Sequence, residues 1–160
     1  MGYALSGKTA LVTGANRGIG EAIVDALVAA GVRKVYAAAR SISALDALVA
    51  RHGSRVTPLQ LDVTNAAQIA SAAATAPDVD LLVNNAGIVG FFGGEFTDPK
   101  WIEGGRQEME VNFLGTVAVA PAFFADPKRL DGRSPVFRPL PQPRRPIVGG
   151  GAPSSVALEG

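Results

Sequence analysis

Four short apolar runs, each bounded by turn residues, recur along the first 87 residues: KTALVTG (8–14), KVYAAAR (34–40), RVTPLQLDV (55–63) and VDLLVNNAG (79–87). Runs of this length read as buried strands. The stretches between them have helical character. In GIGEAIVDALVAAG the apolar residues Ile19, Ile23, Ala26, Leu27 and Ala30 recur at three- and four-residue steps, and Gly31 stands where a helix would end. Ser43 is placed to cap a second helix whose Leu45, Leu48 and Val49 share a face, closing near Gly53. Asn65 with Gln68 makes a start like a capping box for an alanine-rich helix ending by Pro77. Strands joined through helices imply right-handed crossovers and a parallel sheet covered on both faces. The expected fold is therefore α/β: a Rossmann-like parallel sheet with helices on both faces. Pro58 is awkward for a central strand, because it cannot donate to a ladder.

After the fourth strand comes a glycine- and phenylalanine-rich loop, 87–97, and then a helical stretch from about Asp98 to Phe124. Gly104 and Gly105 lie inside that stretch and cost about 1 kcal/mol each against alanine, so its first turns are expected to be loose.

The turn TGANRGIG, Thr13 to Gly20, joins the first strand to the first helix. Glycine at 14 lets the strand turn sharply, at 18 lets backbone amides approach a ligand, and at 20 lets the helix pack close to the strand. Unpaired N–H groups and the helix dipole then favour an anion at the helix N-terminus, such as the pyrophosphate of a dinucleotide. The spacing Gly-x-x-x-Gly-x-Gly differs from G-x-G-x-x-G, and glycines in such a turn can also be merely structural.

Composition narrows the alternatives. The chain has 160 residues, 48% of them hydrophobic, enough for one domain with a core. A formal net charge of +1 gives no global reason to expect nucleic acid or a membrane as partner. No apolar run approaches the ~20 residues of a membrane helix, and MGYALSGK lacks the regions of a signal peptide. The absence of cysteine fits a reducing compartment, so a cytoplasmic protein is expected, and no metal constellation is seen. His52, the only histidine, is expected to be a solvated helix-end residue.

TGANRGIG, LDV at 61–63, NNAG at 84–87 and EVNFLGT at 110–116 occur in that order, each at the end of a strand or in the next helix. This ordered set resembles the short-chain dehydrogenase/reductase family, over about Ser6 to Phe124. The resemblance implies an oxidoreductase acting on a small-molecule alcohol or carbonyl. It implies cofactor contacts from Gly14, Asn16, Arg17, Gly18, Ile19 and Gly20, with Asp62 against the adenine amino group and a backbone contact at Val63. It also implies that Asn84 braces neighbouring strands and that Asn85, Ala86 and Gly87 line the ribose. Asn112 matches the family's catalytic asparagine, which helps hold a water in a proton relay. A turn aspartate at 62 and a core-satisfied Asn112 are the structural alternatives. The end of the second strand carries Ala39 and Arg40 where an NAD-preferring site would have an acidic residue. Arg40 and Arg17 could clamp a 2′-phosphate, so NADP(H) is expected over NAD(H). A homo-oligomer through the long helix near Asn112 is a further expectation from the resemblance.

In the family a tyrosine exchanges the proton, a lysine four residues later supports it, and a serine orients the carbonyl. The only tyrosines here are Tyr3 and Tyr36, followed four residues on by Gly7 and Arg40, so no Tyr-x-x-x-Lys occurs. Residues 126–160 hold 7 of the 11 prolines and 5 of the 11 arginines. They are expected to form a disordered tail beyond a Rossmann-like domain of residues 1–125, itself expected to be truncated after about four strands and the long helix. Proline, arginine and glycine are what GC-rich codons yield out of frame, which points to a shifted reading frame near residues 124–128. The alternatives are a catalytically inactive nucleotide-binding fragment, and an interaction protein whose RPLPQPRRP docks into an aromatic groove.

Overall fold

A computed structural model describes residues 4–90 and 97–124. Strands β1 (Thr9–Thr13), β2 (Lys34–Ala39), β3 (Val56–Gln60) and β4 (Leu81–Val83) form one parallel sheet in the order β3-β2-β1-β4. Helices α1 (Gly18–Ala29), α2 (Asp46–His52) and α3 (Ala66–Thr75) follow the first three strands. After the loop beyond β4 the chain is helical from Lys100 to Phe124: α4 (Lys100–Glu108), a π-helical segment (Met109–Gly115) and α5 (Thr116–Phe124).

Because successive strand residues face opposite ways, the sheet divides the core in two. Ala10, Val12, Val35 and Ala37 pack under α1 and α2, while Leu11, Tyr36 and Ala38 pack against α3 and α5. The strand β1, with all five residues buried, is covered on both faces and paired on both edges. Pro58 is tolerated because, among the described residues, β3 has a neighbour on one side only.

Several local expectations differ from the structure. The buried face of α1 is Gly20, Val24, Leu27 and Val28, whereas Ile19 is 44% exposed and Ala26 and Ala30 face outward. Rotation of α1 is set by Gly20, which must face β1 for backbone to meet backbone. Ser43 is not a cap: it lies inside a 3-10 turn, Ile42–Leu45, entered at Ser41, and its hydroxyl pairs with that of Ser41 at 2.9 Å. His52 ends α2 as expected, but its side chain is only 14% exposed and donates to Asp25 Oδ1 of α1 at 2.6 Å. Arg51 adds a two-pronged pairing to the same carboxylate, so the two helices on this face are pinned together.

The capping box at α3 is half formed. Asn65 Oδ1 accepts from Gln68 N–H at 3.0 Å, but the Gln68 side chain accepts from Asp62 N–H, 2.8 Å away, instead of reaching back to Asn65. Gly104, expected to loosen the long helix, lies buried within a continuous α4 where the loop after β4 crosses it. The expected tail, 126–160, lies outside the described residues.

At the N-terminal ends of the strands a polar lattice closes the sheet. Asp78 accepts from the Tyr36 hydroxyl at 2.8 Å and from Arg33 at 3.1 Å, and Arg33 also donates to Thr9 Oγ1. Asp80 accepts from Thr9 N–H at 2.9 Å and pairs with Lys8. Burial pushes the Asp78 carboxyl up, but the Tyr36 hydroxyl, the Lys34 charge and Arg33 outweigh it and hold it below the ordinary 3.8. A folded-state value below the unfolded one means that this contribution is complete above about pH 4 and lost as pH falls through the folded value. Asp78→Asn is therefore expected to cost about 1–3 kcal/mol at neutral pH and to flatten the stability profile below about pH 4. Urea unfolding across pH 2–7 checks both.

Candidate functional site

The C-terminal ends of the strands are open where the lower ends are closed. After β1 the chain builds outward through β2 to β3 and then returns to place β4 on the other side of β1. Neighbouring loops leave the sheet in opposite directions at such a switch, which makes a crevice. A cleft of about 600 Å³ lies there.

Its floor is the β1–α1 turn. Gly14 has φ +65° and Gly18 φ +58°, in the region that glycine alone enters without strain. A Cβ on Gly20 would lie 2.1 Å from the Gly14 carbonyl oxygen, so only glycine lets α1 start this close to the strand. Among the described residues no side chain caps α1: Arg17 occupies the N-cap position with no capping hydrogen bond. The first amides of α1 are thus turned toward the cleft without a side-chain acceptor, and the space at Gly18 is open, with nothing within 4 Å of a Cβ built there.

Thr13, buried at the end of β1, ties the two central strands together. Its hydroxyl oxygen accepts from Asn85 N–H at 3.0 Å and Ala86 N–H at 2.9 Å. The Asn85 side chain completes the knot by donating to the carbonyls of Thr13 and Gly14 at 3.0 and 3.2 Å. The strand brace expected from Asn84 is thus made by Asn85. Asn84 Oδ1 is buried without a hydrogen-bond partner among the described residues.

Gly14, Asn16, Arg17, Gly18, Ile19, Gly20, Arg40, Asp62, Val63, Asn85, Ala86 and Gly87 all line this one cleft. Ala39, noted in the sequence for lacking a carboxylate, also lines it, as do Leu61 and Val111 from the quoted motifs; Thr64 and Ile88 line it too, although no sequence signal singled those two out. Arg17 and Arg40 are both exposed. Asp62 forms a tight turn in which Oδ1 accepts from Thr64 N–H at 3.0 Å and from its hydroxyl at 2.7 Å. The Thr64 backbone bond is the main reason its carboxyl sits below the ordinary value; burial opposes it, and the Thr64 hydroxyl and the Arg40 charge assist.

Asn112 is not on the cleft wall. It sits in the π-helical segment, and both ends of its amide are taken by Ile88: Oδ1 accepts from Ile88 N–H and Nδ2 donates to Ile88 O, each at 2.8 Å. It therefore touches the cleft through a wall residue.

Substituting Gly20→Ala adds helix propensity yet drives a methyl into the Gly14 carbonyl and the Asn85 amide. A net loss of about 1–3 kcal/mol is expected, read from urea unfolding. Gly105→Ala, with open space around its added methyl, is the matched substitution expected to be neutral or stabilising.

Comparison with known proteins places this geometry. The family model described as short chain dehydrogenase matches residues 8–133. The short chain dehydrogenase pigC of Monascus ruber is 36% identical over 134 residues, 74% of this chain and 43% of that protein. A short chain dehydrogenase from Burkholderia cenocepacia, solved in complex with NADP, superposes with a TM-score of 0.69 at 40% identity, covering 83% of this chain and 52% of that one. A blue fluorescent protein from a metagenomic library, in complex with NADPH, gives a TM-score of 0.64 at 34% identity, covering 78% and 53%. The chain spans about half the length of these proteins. Since the family match begins at the foot of β1 and runs through the whole long helix, the chain belongs to the short chain dehydrogenase family.

Proposed function

We propose that this chain is the NADP(H)-binding part of an oxidoreductase that acts on an alcohol or carbonyl. The observation that carries the reading is the cleft itself, in which the uncapped start of α1 and two exposed arginines share one space while the end of β2 offers Ala39 and no carboxylate. Glycine at 14, 18 and 20 leaves room for a pyrophosphate against the α1 amides. Arg17 and Arg40 would hold a 2′-phosphate, Asp62 and Val63 the adenine, and Asn85, Ala86 and Gly87 the ribose. Two of the similar solved structures were determined with NADP or NADPH, which supports the same choice.

When bound, the reduced nicotinamide supplies a hydride. The chain's own contribution is to bind and orient. The cleft floor presents fixed amides, the arginines supply charge at one end, and the Ile88–Asn112 pair fixes the wall at the other. Asn112 is the residue assigned here to the family's catalytic asparagine. Residues 1–160 contain no Tyr-x-x-x-Lys, so this stretch alone is expected to bind nucleotide with little or no turnover. Measurable NADPH-dependent reduction across an aldehyde and ketone panel would overturn that expectation. The reading carries a cytoplasmic location with it.

Calorimetric titration with NADPH and NADH tests the cofactor. NADPH is expected to bind at least about tenfold more tightly, and Arg40→Ala or Arg17→Ala to weaken NADPH about ten- to a hundredfold while changing NADH little. Equal or tighter NADH binding sinks the assignment.

The same helix supports self-association. Met109, Phe113 and Val117 recur at four-residue steps and are 52–56% exposed, with Leu114 beside them at 48%. Light scattering after size exclusion is expected to show a dimer or larger assembly that Phe113→Glu disperses; an unchanged monomer for both proteins counts against it.

A further inference from the structure

Beyond β4 the chain runs alongside the long helix with backbone close to backbone. A Cβ on Gly90 would lie 2.0 Å from the carbonyl oxygen of Gly104 in α4. Two helix side chains use this closeness. Glu108 Oε1 accepts from Gly90 N–H at 2.6 Å, and one turn later Asn112 exchanges both its amide bonds with Ile88. Glu108 and Asn112, four residues apart on the helix, thus pair with Gly90 and Ile88, two residues apart on the loop, through bonds to alternate backbone residues.

Ile88 lines the cleft next to Gly87 and Ala86, and Glu108 does not reach it. Asn112 alone holds one point of this wall, which leaves the segment free to pivot there. Glu108 supplies the second point, two residues on, and two points fix a direction. Its carboxylate is half-buried, and a charged acceptor on a backbone amide makes a stronger bond than a neutral one.

We propose that Glu108 is a positioning residue for the cleft, holding Gly90 so that, with Asn112 on Ile88, the wall formed by Gly87 and Ile88 keeps its course against the bound nucleotide. The proposal rests on the NADP(H) reading above.

The test compares the wild-type chain with Glu108→Ala, Glu108→Asp and Glu108→Gln, measuring NADPH affinity by titration and amide hydrogen exchange at Ile88 and Gly90. Glu108→Ala is expected to raise the NADPH Kd about five- to tenfold and to speed exchange at Gly90 by at least as much. Glu108→Asp, one methylene short, is expected to show the same pattern at smaller amplitude, and remains informative if the alanine variant does not fold. Glu108→Gln keeps an acceptor and is expected to stay within about twofold of wild type. Asp78→Asn, at the opposite end of the sheet, controls for lost stability: its Tm is expected to fall with NADPH affinity unchanged. The proposal is overturned by wild-type exchange at Gly90 in the alanine and aspartate variants, by an unchanged Kd, or by an equal loss of affinity in Asp78→Asn. A wild-type chain that binds neither NADPH nor NADH overturns the nucleotide reading first and this proposal with it. Normal wild-type binding with normal binding by the variants overturns this proposal alone.

Discussion

The approach of Gly20 to the Gly14 carbonyl is the contact on which the rest of the molecule depends. Helix α1 can lie against β1 at that distance only where no Cβ intervenes. Its rotation follows, since burying Gly20 also buries Val24, Leu27 and Val28 and turns Ile19 toward the cleft. The uncapped amides of α1 then point into the crevice, and the Gly14 carbonyl is left where the Asn85 side chain can reach it. One missing methyl thus couples core packing to the geometry of the site.

The two ends of the sheet are built for different purposes. At the N-terminal ends, carboxylates at 78 and 80 meet Arg33, Lys8, Tyr36 and Thr9, and their hydrogen bonds stay within the lattice. At the C-terminal ends, the positive end of the α1 dipole and two exposed arginines face open space. A protein that satisfied its charges equally at both ends would have nothing left with which to attract an anion. The buried Asn84 Oδ1, without a hydrogen-bond partner among the described residues, belongs to the same open end, immediately after β4.

The long helix contributes through an irregularity. Its middle turns are π-helical, and Asn112 within them spends both halves of its amide on one backbone residue of the neighbouring loop. Wide turns of this kind commonly mark functional places in helices. Here the consequence is concrete: helix side chains bond to the backbone of the loop after β4, and the wall of the cleft is attached to the helix.

How much could be read without coordinates differs from element to element. Strand and helix order, the parallel sheet and the glycine turn were legible, because apolar periodicity and glycine spacing are local properties of the chain. The other residues that gather on the cleft were implied by the resemblance of the ordered motifs to a known family. The face of α1 was misread because Ala26 and Ala30 are apolar enough to pass for core, and the residue that settles rotation, Gly20, has no side chain to count. Asn84 and Asn85 are adjacent and chemically identical, so which one braces the strands depends on which way each points once β1 and β4 are paired. His52 gained a partner, and Gly104 a close neighbour in Gly90, only from residues outside their own helices. Sequence by itself determined the order of elements, the turn and the charge at the end of β2. Tertiary structure alone decided which groups meet, because hydrogen bonds and close approaches require distances and directions that a linear pattern does not contain.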